Sequence, residues 1–352
     1  MQRPVMNPNF LEDSSHESGG APRRSLLQFV GHLLWRLVRP VFRLLTFDPL
    51  RRVKHFRNEE GTPTSRFVRA VLYRLAFVPI FIAALACGIV WVSTHPRTVV
   101  AELDPASQGI YYDAVTFVST DQTPIDGWLM PVIDARTVLE QKEQVLRQKH
   151  PAVVLLHDIG QRRDALLPLV KPLHEAGYLV LAINLRGGGA RAVKGETFGL
   201  TELGDVKAAV DMLRRRPFVD GNHIALVGCG SGATAALLAA DADAQIAGVV
   251  ADRPIRDVDE LVKVRLLPQN VKVGWIGPLC KWTFELAYGV DAEEVSLTNF
   301  RKLFESRRVL MLDPGRAYAD VSDPRTIEQI KVFLSAALRM PASSGQPVAG
   351  VK

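Results

Sequence analysis

The stretch LAFVPIFIAALACGIVWVSTHP, 75–96, holds no Asp, Glu, Lys or Arg and is almost wholly apolar as far as Val92. About 20 residues rising ~1.5 Å each cross the ~30 Å hydrocarbon core of a bilayer. The pattern therefore predicts one transmembrane helix over 75–95. Pro79 is tolerable near its first turns, and Trp91 stands where an interfacial aromatic belongs. The stretch is too far along for an ordinary signal peptide, and no A-x-A-like cleavage site clearly follows it. Upstream, SLLQFVGHLLWRLVRPVFRLLTF, 25–47, is apolar except for a stripe of His32, Arg36, Arg39 and Arg43. That spacing suits a helix lying in the headgroup plane, kinked at Pro40. Residues 1–24 read as a disordered tail and 341–352 as a loose one.

Beyond the span the periods change. YYDAVTFVSTDQTPIDGWLMPV alternates apolar and polar positions on either side of a turn, which predicts a β-hairpin. A charged helical stretch, 135–149, follows. Strands are then expected at Ala152–Leu156, Tyr178–Ile183, Ile224–Val227, Ile246–Val250 and Val309–Leu312. Helices are expected near 164–176, at 202–216 and at 233–240, with a terminal helix from Asp323-Pro324 to about Leu338. Pro168 and Pro172 imply that the first of these is kinked or starts late. Apolar strands alternating with amphipathic helices make an α/β domain, a mostly parallel sheet with helices on both faces. It occupies 110–340 and is preceded by the one transmembrane helix. Residues 253–305 interrupt the rhythm as a cap or excursion; Trp275, Trp282 and Phe284 within it are candidates for a pocket or for core.

Charge sharpens the picture. The 352 residues carry a net +6, but residues 1–74 alone hold thirteen Lys/Arg against six Asp/Glu. The excess positive charge lies wholly in the segment before the span, so the anionic partner is membrane lipid rather than nucleic acid. Arg51, Arg52, Lys54, Arg57, Arg66, Arg69 and Arg74 precede the span and Arg97 stands nearly alone after it. The positive-inside rule places residues 25–74 in the cytoplasm and the C-terminal domain outside it. Cys87, Cys229 and Cys280 match no disulfide framework or metal site, and Cys229 and Cys280 read as unpaired buried thiols.

Candidate chemistry centres on HIALVGCGSGATAALLAA, 223–240, a strand, a glycine-rich turn and a helix. With the hairpin ending Asp126-Gly127-Trp128-Leu129, PAVVLLHD ending His157-Asp158, NLRGGGAR at 184–191 and YGVDAEEVSLTNFRKL before the last strand, this order resembles the peptidase- and esterase-like α/β-hydrolases. The resemblance implies a nucleophilic serine on a strained turn, then an acid, then a histidine. It places Gly230 at the nucleophile position. His157, Asp158 and Ser231 fall at the oxyanion loop and hole. No histidine follows His223, so the expected base is missing, and DPGRAYADVSDP leaves Asp313 or Asp320 near the place of the acid.

These residues predict a membrane-anchored hydrolase-fold protein without catalysis, binding an unknown small-molecule, lipid or protein ligand with no cofactor or metal. The alternative is an active serine hydrolase in which Ser231 attacks, His157 serves as base and Asp313 or Asp320 as acid; Cys229 is a further conceivable nucleophile. A remote alternative reads GCGSG, with Asp252 after the next strand, as an S-adenosylmethionine-dependent methyltransferase motif. Asp252 as a solvated strand-end residue is the plainer expectation.

Overall fold

The computed structural model describes residues 63–96, 103–132, 149–187, 195–267, 274–306, 308–312 and 322–338. The two tails, the amphipathic segment 25–47 and the helical stretch expected before Lys149 lie outside them. The chain divides into two compact units, Met1–Phe81 and Ile82–Lys352. What is described of the first is the opening part of a long helix, α1 (Pro63–Thr94). It begins earlier than its apolar pattern suggests. Pro63 supplies a first position where a missing N–H costs nothing, so Pro79 sits in the helix interior instead of its first turns.

The second unit opens with the expected hairpin, β1 (Asp113–Val118) and β2 (Pro124–Met130). Its turn is closed by the Ser119 N–H donating to the Thr123 carbonyl at 2.8 Å, and Gln122 takes a positive φ of 64°. Then come β3 (His150–Leu156), α2 (Leu167–Glu175), β4 (Leu179–Ile183), α3 (Leu203–Arg214), β5 (Val219–Cys229), α4 (Ser231–Ala242) and β6 (Ile246–Asp252). A cap region carrying α5 (Gly277–Tyr288) precedes β7 (Val309–Leu312) and α6 (Pro324–Ala337). Of the two options for α2, the late start is realised: a 3-10 turn at Arg163–Leu166 precedes it, and Pro168 falls in its first turn.

The seven strands form one sheet in the order β1-β2-β4-β3-β5-β6-β7. β1, β2 and β4 pair antiparallel, and the remaining pairs are parallel. Period-2 alternation divides the core. Ala152, Val154 and Leu156 of β3 with Ile224 and Leu226 of β5 face α3 and α4. Val153, Leu155, Ala225, Val227 and Cys229 face α2 and α6. Burial on both faces explains why these strands read as continuous apolar runs. A third cluster joins Ala86 and Val90 of α1 to Phe198, Leu261, Leu266 and α5's Cys280 and Phe284. Of the three aromatics offered for a pocket or for core, Phe284 is buried in this cluster, whereas Trp275 and Trp282 are exposed.

Candidate functional site at the turn between β5 and α4

Backbone packing dictates the turn. A Cβ on Gly228 would overlap the backbone of Gly232 and Ala233, and one on Gly232 would overlap the carbonyls of Leu156 and His157. Only glycines let β3, β5 and the start of α4 approach so closely. Between them Gly230 adopts φ 53°, ψ −116°, a strained conformation like that of a strand-to-helix nucleophile elbow. Its N–H donates to the Asp252 carbonyl at 2.8 Å, continuing the ladder to β6.

The space a side chain at Gly230 would need is occupied by the Asp158 carboxylate. A Cβ built on Gly230 would overlap its Cγ and both oxygens. Asp158 Oδ1 accepts the Ser231 N–H at 2.7 Å and the Ile159 N–H at 2.8 Å. Those two amides, one just after the elbow position and one in the loop after β3, correspond to the donor pair that forms an oxyanion hole in the α/β-hydrolase arrangement. Asp158 Oδ2 meets Arg265 Nη1 of the cap at 3.5 Å, and the side chain is 1% exposed.

His157 is turned to the backbone. Nε2 accepts the Leu185 N–H at 2.9 Å, so Nδ1 carries the proton and donates to the Asp158 carbonyl at 2.8 Å. Burial also holds the imidazole below its ordinary pKa. Ser231 is buried at the first position of α4. Cys229 points into the core, where burial and then Asp252 and Asp158 raise its thiol. Asp313 and Asp320 lie outside the described residues. Among the described residues, no group of three or more His, Cys, Asp and Glu is arranged to hold a metal ion.

Asp252 corrects its expectation as a solvated residue. It is 2% exposed at the end of β6, raised in pKa by burial, and ion-paired with Arg253 Nε at 3.4 Å. Arg253 itself has a positive φ of 46°. Sequence reasoning also passed over Glu196 and Glu202. Glu196 is buried, accepts the Gly160 N–H at 3.2 Å, and is pushed up to about 9 by burial and then by Glu202. Glu202 accepts the N–H groups of Thr197 at 2.6 Å and Gly199 at 3.0 Å, and the Thr197 hydroxyl at 2.7 Å. Glu202 is the N-cap of α3 without a side-chain cap bond, and Thr197, five residues before it, is not at capping-box spacing, so no local pattern marked it. For Glu196 no local signal exists.

Arg186, in the NLRGGGAR segment, is structural. Its Nη2 and Nε grip Asp205 of α3 at 2.6 and 3.1 Å, and Nη1 reaches Asp121 of the hairpin turn at 3.0 Å. The segment thus ties β4, α3 and the hairpin together beneath the site.

Comparisons with known proteins agree with this architecture. A family model described as the prolyl oligopeptidase family matches residues 169–285. An esterase from Pyrococcus furiosus superposes with a TM-score of 0.51 at 20% identity, covering 69% of this chain and 99% of its own. The chain has the α/β-hydrolase fold. Two other solved esterases align less closely. A thermophilic esterase from Thermogutta terrifontis gives 0.46 at 13% identity over 67% of this chain and 95% of its own. Brefeldin A esterase, described as a bacterial homologue of human hormone-sensitive lipase, gives 0.45 at 14% identity over 73% and 86%. A search of curated protein sequences finds no match. Within this α/β-hydrolase fold the glycine turn follows β5, the fifth strand in chain order, not an opening strand, unlike the methyltransferase reading of GCGSG.

Proposed function

We propose that this is a single-pass membrane protein whose α/β-hydrolase domain binds a ligand and does not hydrolyse one. The observation that carries the reading is the Asp158 carboxylate lying where a nucleophile's side chain would stand, bonded to the Ser231 and Ile159 amides. A carboxylate there does three things at once. It excludes a side chain at Gly230, it neutralises the donors that would stabilise a tetrahedral oxyanion, and it places negative charge where the transition state would develop more. His157, with both ring nitrogens committed to the backbone, has no lone pair to take a proton from Ser231. The ligand is a small molecule, lipid or protein approaching the cap.

Membrane anchoring rests on Leu75–Thr94, whose mean hydropathy is 2.6 and of which 11% is buried within the protein. A core helix of a soluble domain would be mostly covered. Charge before the span favours a cytoplasmic N-terminus and an outer domain.

The competing reading, ester or peptide hydrolysis by Ser231, draws support from the likeness to the Pyrococcus furiosus esterase. Turnover of p-nitrophenyl acetate, butyrate and octanoate by the full chain in detergent, beside a Ser231→Ala variant, separates the two. A non-hydrolytic domain gives the same background rate in both; turnover lost in the variant would overturn the proposal.

A further inference from the structure

The cap helix α5 has two unlike faces. Cys280 and Phe284 are fully buried and pack in one cluster with Ala86 and Val90 of α1. On the other side Trp282 is 60% and Leu286 70% exposed, and Trp275, just before the helix, is 63% exposed. Trp282 and Leu286 are one helical turn apart, so their side chains stand together. Among the described residues, an apolar stripe of this size is left facing outward with no covering element.

Its position explains it. The Tyr288 hydroxyl donates to Thr94 Oγ1 at 2.7 Å. Tyr288 is therefore held at Thr94, the last residue of the apolar stretch Leu75–Thr94. Leu286 and Trp282 lie on the same helix within two turns of Tyr288. On α1, Trp91 and Val92 are likewise exposed, at 64% and 60%. Lys281 beside the stripe is held by Glu285 and Glu293 at 3.4 and 2.9 Å, a polar border to the apolar face.

We propose that the exposed face of α5 is a membrane-docking surface: Trp275, Trp282 and Leu286 insert at the boundary between headgroups and acyl chains of the bilayer that α1 crosses. The inference rests on the anchoring proposed above and extends it from one helix to the domain. Indole rings favour that depth because they present an apolar body and one N–H donor. Docking also fixes the cap against the membrane, and with it Arg265, which reaches Asp158.

Brominated-lipid quenching tests this on the full chain in phosphatidylcholine–phosphatidylglycerol vesicles. One variant keeps Trp282 by replacing Trp35, Trp91 and Trp275 with Phe; a second keeps Trp91 by replacing Trp35, Trp275 and Trp282. Trp128, 6% exposed, stays in both as a common background. The proposal predicts that each variant loses most of its non-background emission to lipids brominated near the headgroup, and that Trp282 is shielded from aqueous acrylamide. Quenching of Trp91 with Trp282 untouched by bromine and open to acrylamide overturns the docking surface and leaves the anchor standing. Failure of both to respond overturns the anchor and the docking surface together.

Discussion

Asp158 Oδ1 and the Ser231 amide lie 2.7 Å apart, although 73 residues separate them in the chain. With Ile159 N–H on the same oxygen, and Gly230 bare beside it, the carboxylate closes the place where an α/β-hydrolase would do its chemistry. The arrangement is self-consistent. A glycine at the elbow makes room for the aspartate, and the aspartate satisfies amides that would otherwise be buried and unpaired.

Restoring a serine at the elbow is thus predicted to damage the fold. Gly230→Ser imposes about 1–3 kcal/mol of backbone strain at its positive φ and about 1–3 kcal/mol of overpacking against Asp158. Adding Asp158→Gly removes the second contribution. Thermal unfolding in detergent of both single variants and the double should reveal a favourable coupling of about 1–3 kcal/mol. Additive losses would mean the two positions do not compete for space.

Asp158→Ala should cost about 1–3 kcal/mol for each of the two amides it leaves unpaired. Asp158→Asn should cost less, since its amide oxygen still accepts, though the charge facing Arg265 is gone. Equal destabilisation by both, measured by urea unfolding, would show that charge and not hydrogen bonding holds the loop.

Glu196 gives a pH dependence with a definite sign. Its folded value of about 9 lies above its ordinary 4.5, so between these limits the folded chain binds more protons than the unfolded. Its contribution to stability is then greatest below about 4.5 and is lost as pH rises towards about 9. Glu202, also raised by burial, acts in the same direction. Glu196→Gln should flatten the decline in melting temperature between pH 5 and 9; an unchanged slope would place the titration elsewhere.

Arg186→Met should cost about 3–5 kcal/mol, because it strands the fully buried Asp205 without its ion pair. Replacing Asp205 by Leu in the same chain should recover much of that loss. Guanidinium unfolding of the pair of variants checks it.

What the sequence made legible was governed by local pattern. The hairpin, the last strand at Val309–Leu312 and the glycine at Gly230 all follow from alternation or spacing over a few residues. Helix α1 runs further than its apolar stretch because Pro63 starts it, a signal hydropathy does not carry. Trp282 and Phe284 differ by two positions and end on opposite sides of α5, which composition alone does not separate. Asp252 and Glu196 are buried by elements distant in sequence, so nothing near them announced it. Asp158 was visible in the sequence only as a residue of the oxyanion loop after β3. That its carboxylate would fill the oxyanion hole depended on the approach of β3 to α4, a relationship only the fold supplies.

The central claim is that no activated serine exists in this site. Labelling of the full chain in detergent with a fluorophosphonate probe, beside Ser231→Ala and a known serine hydrolase, tests it without a substrate. The account predicts no labelling of either form of this protein while the known hydrolase reacts. Labelling of the wild-type chain that disappears in Ser231→Ala would contradict it and make Ser231 a working nucleophile.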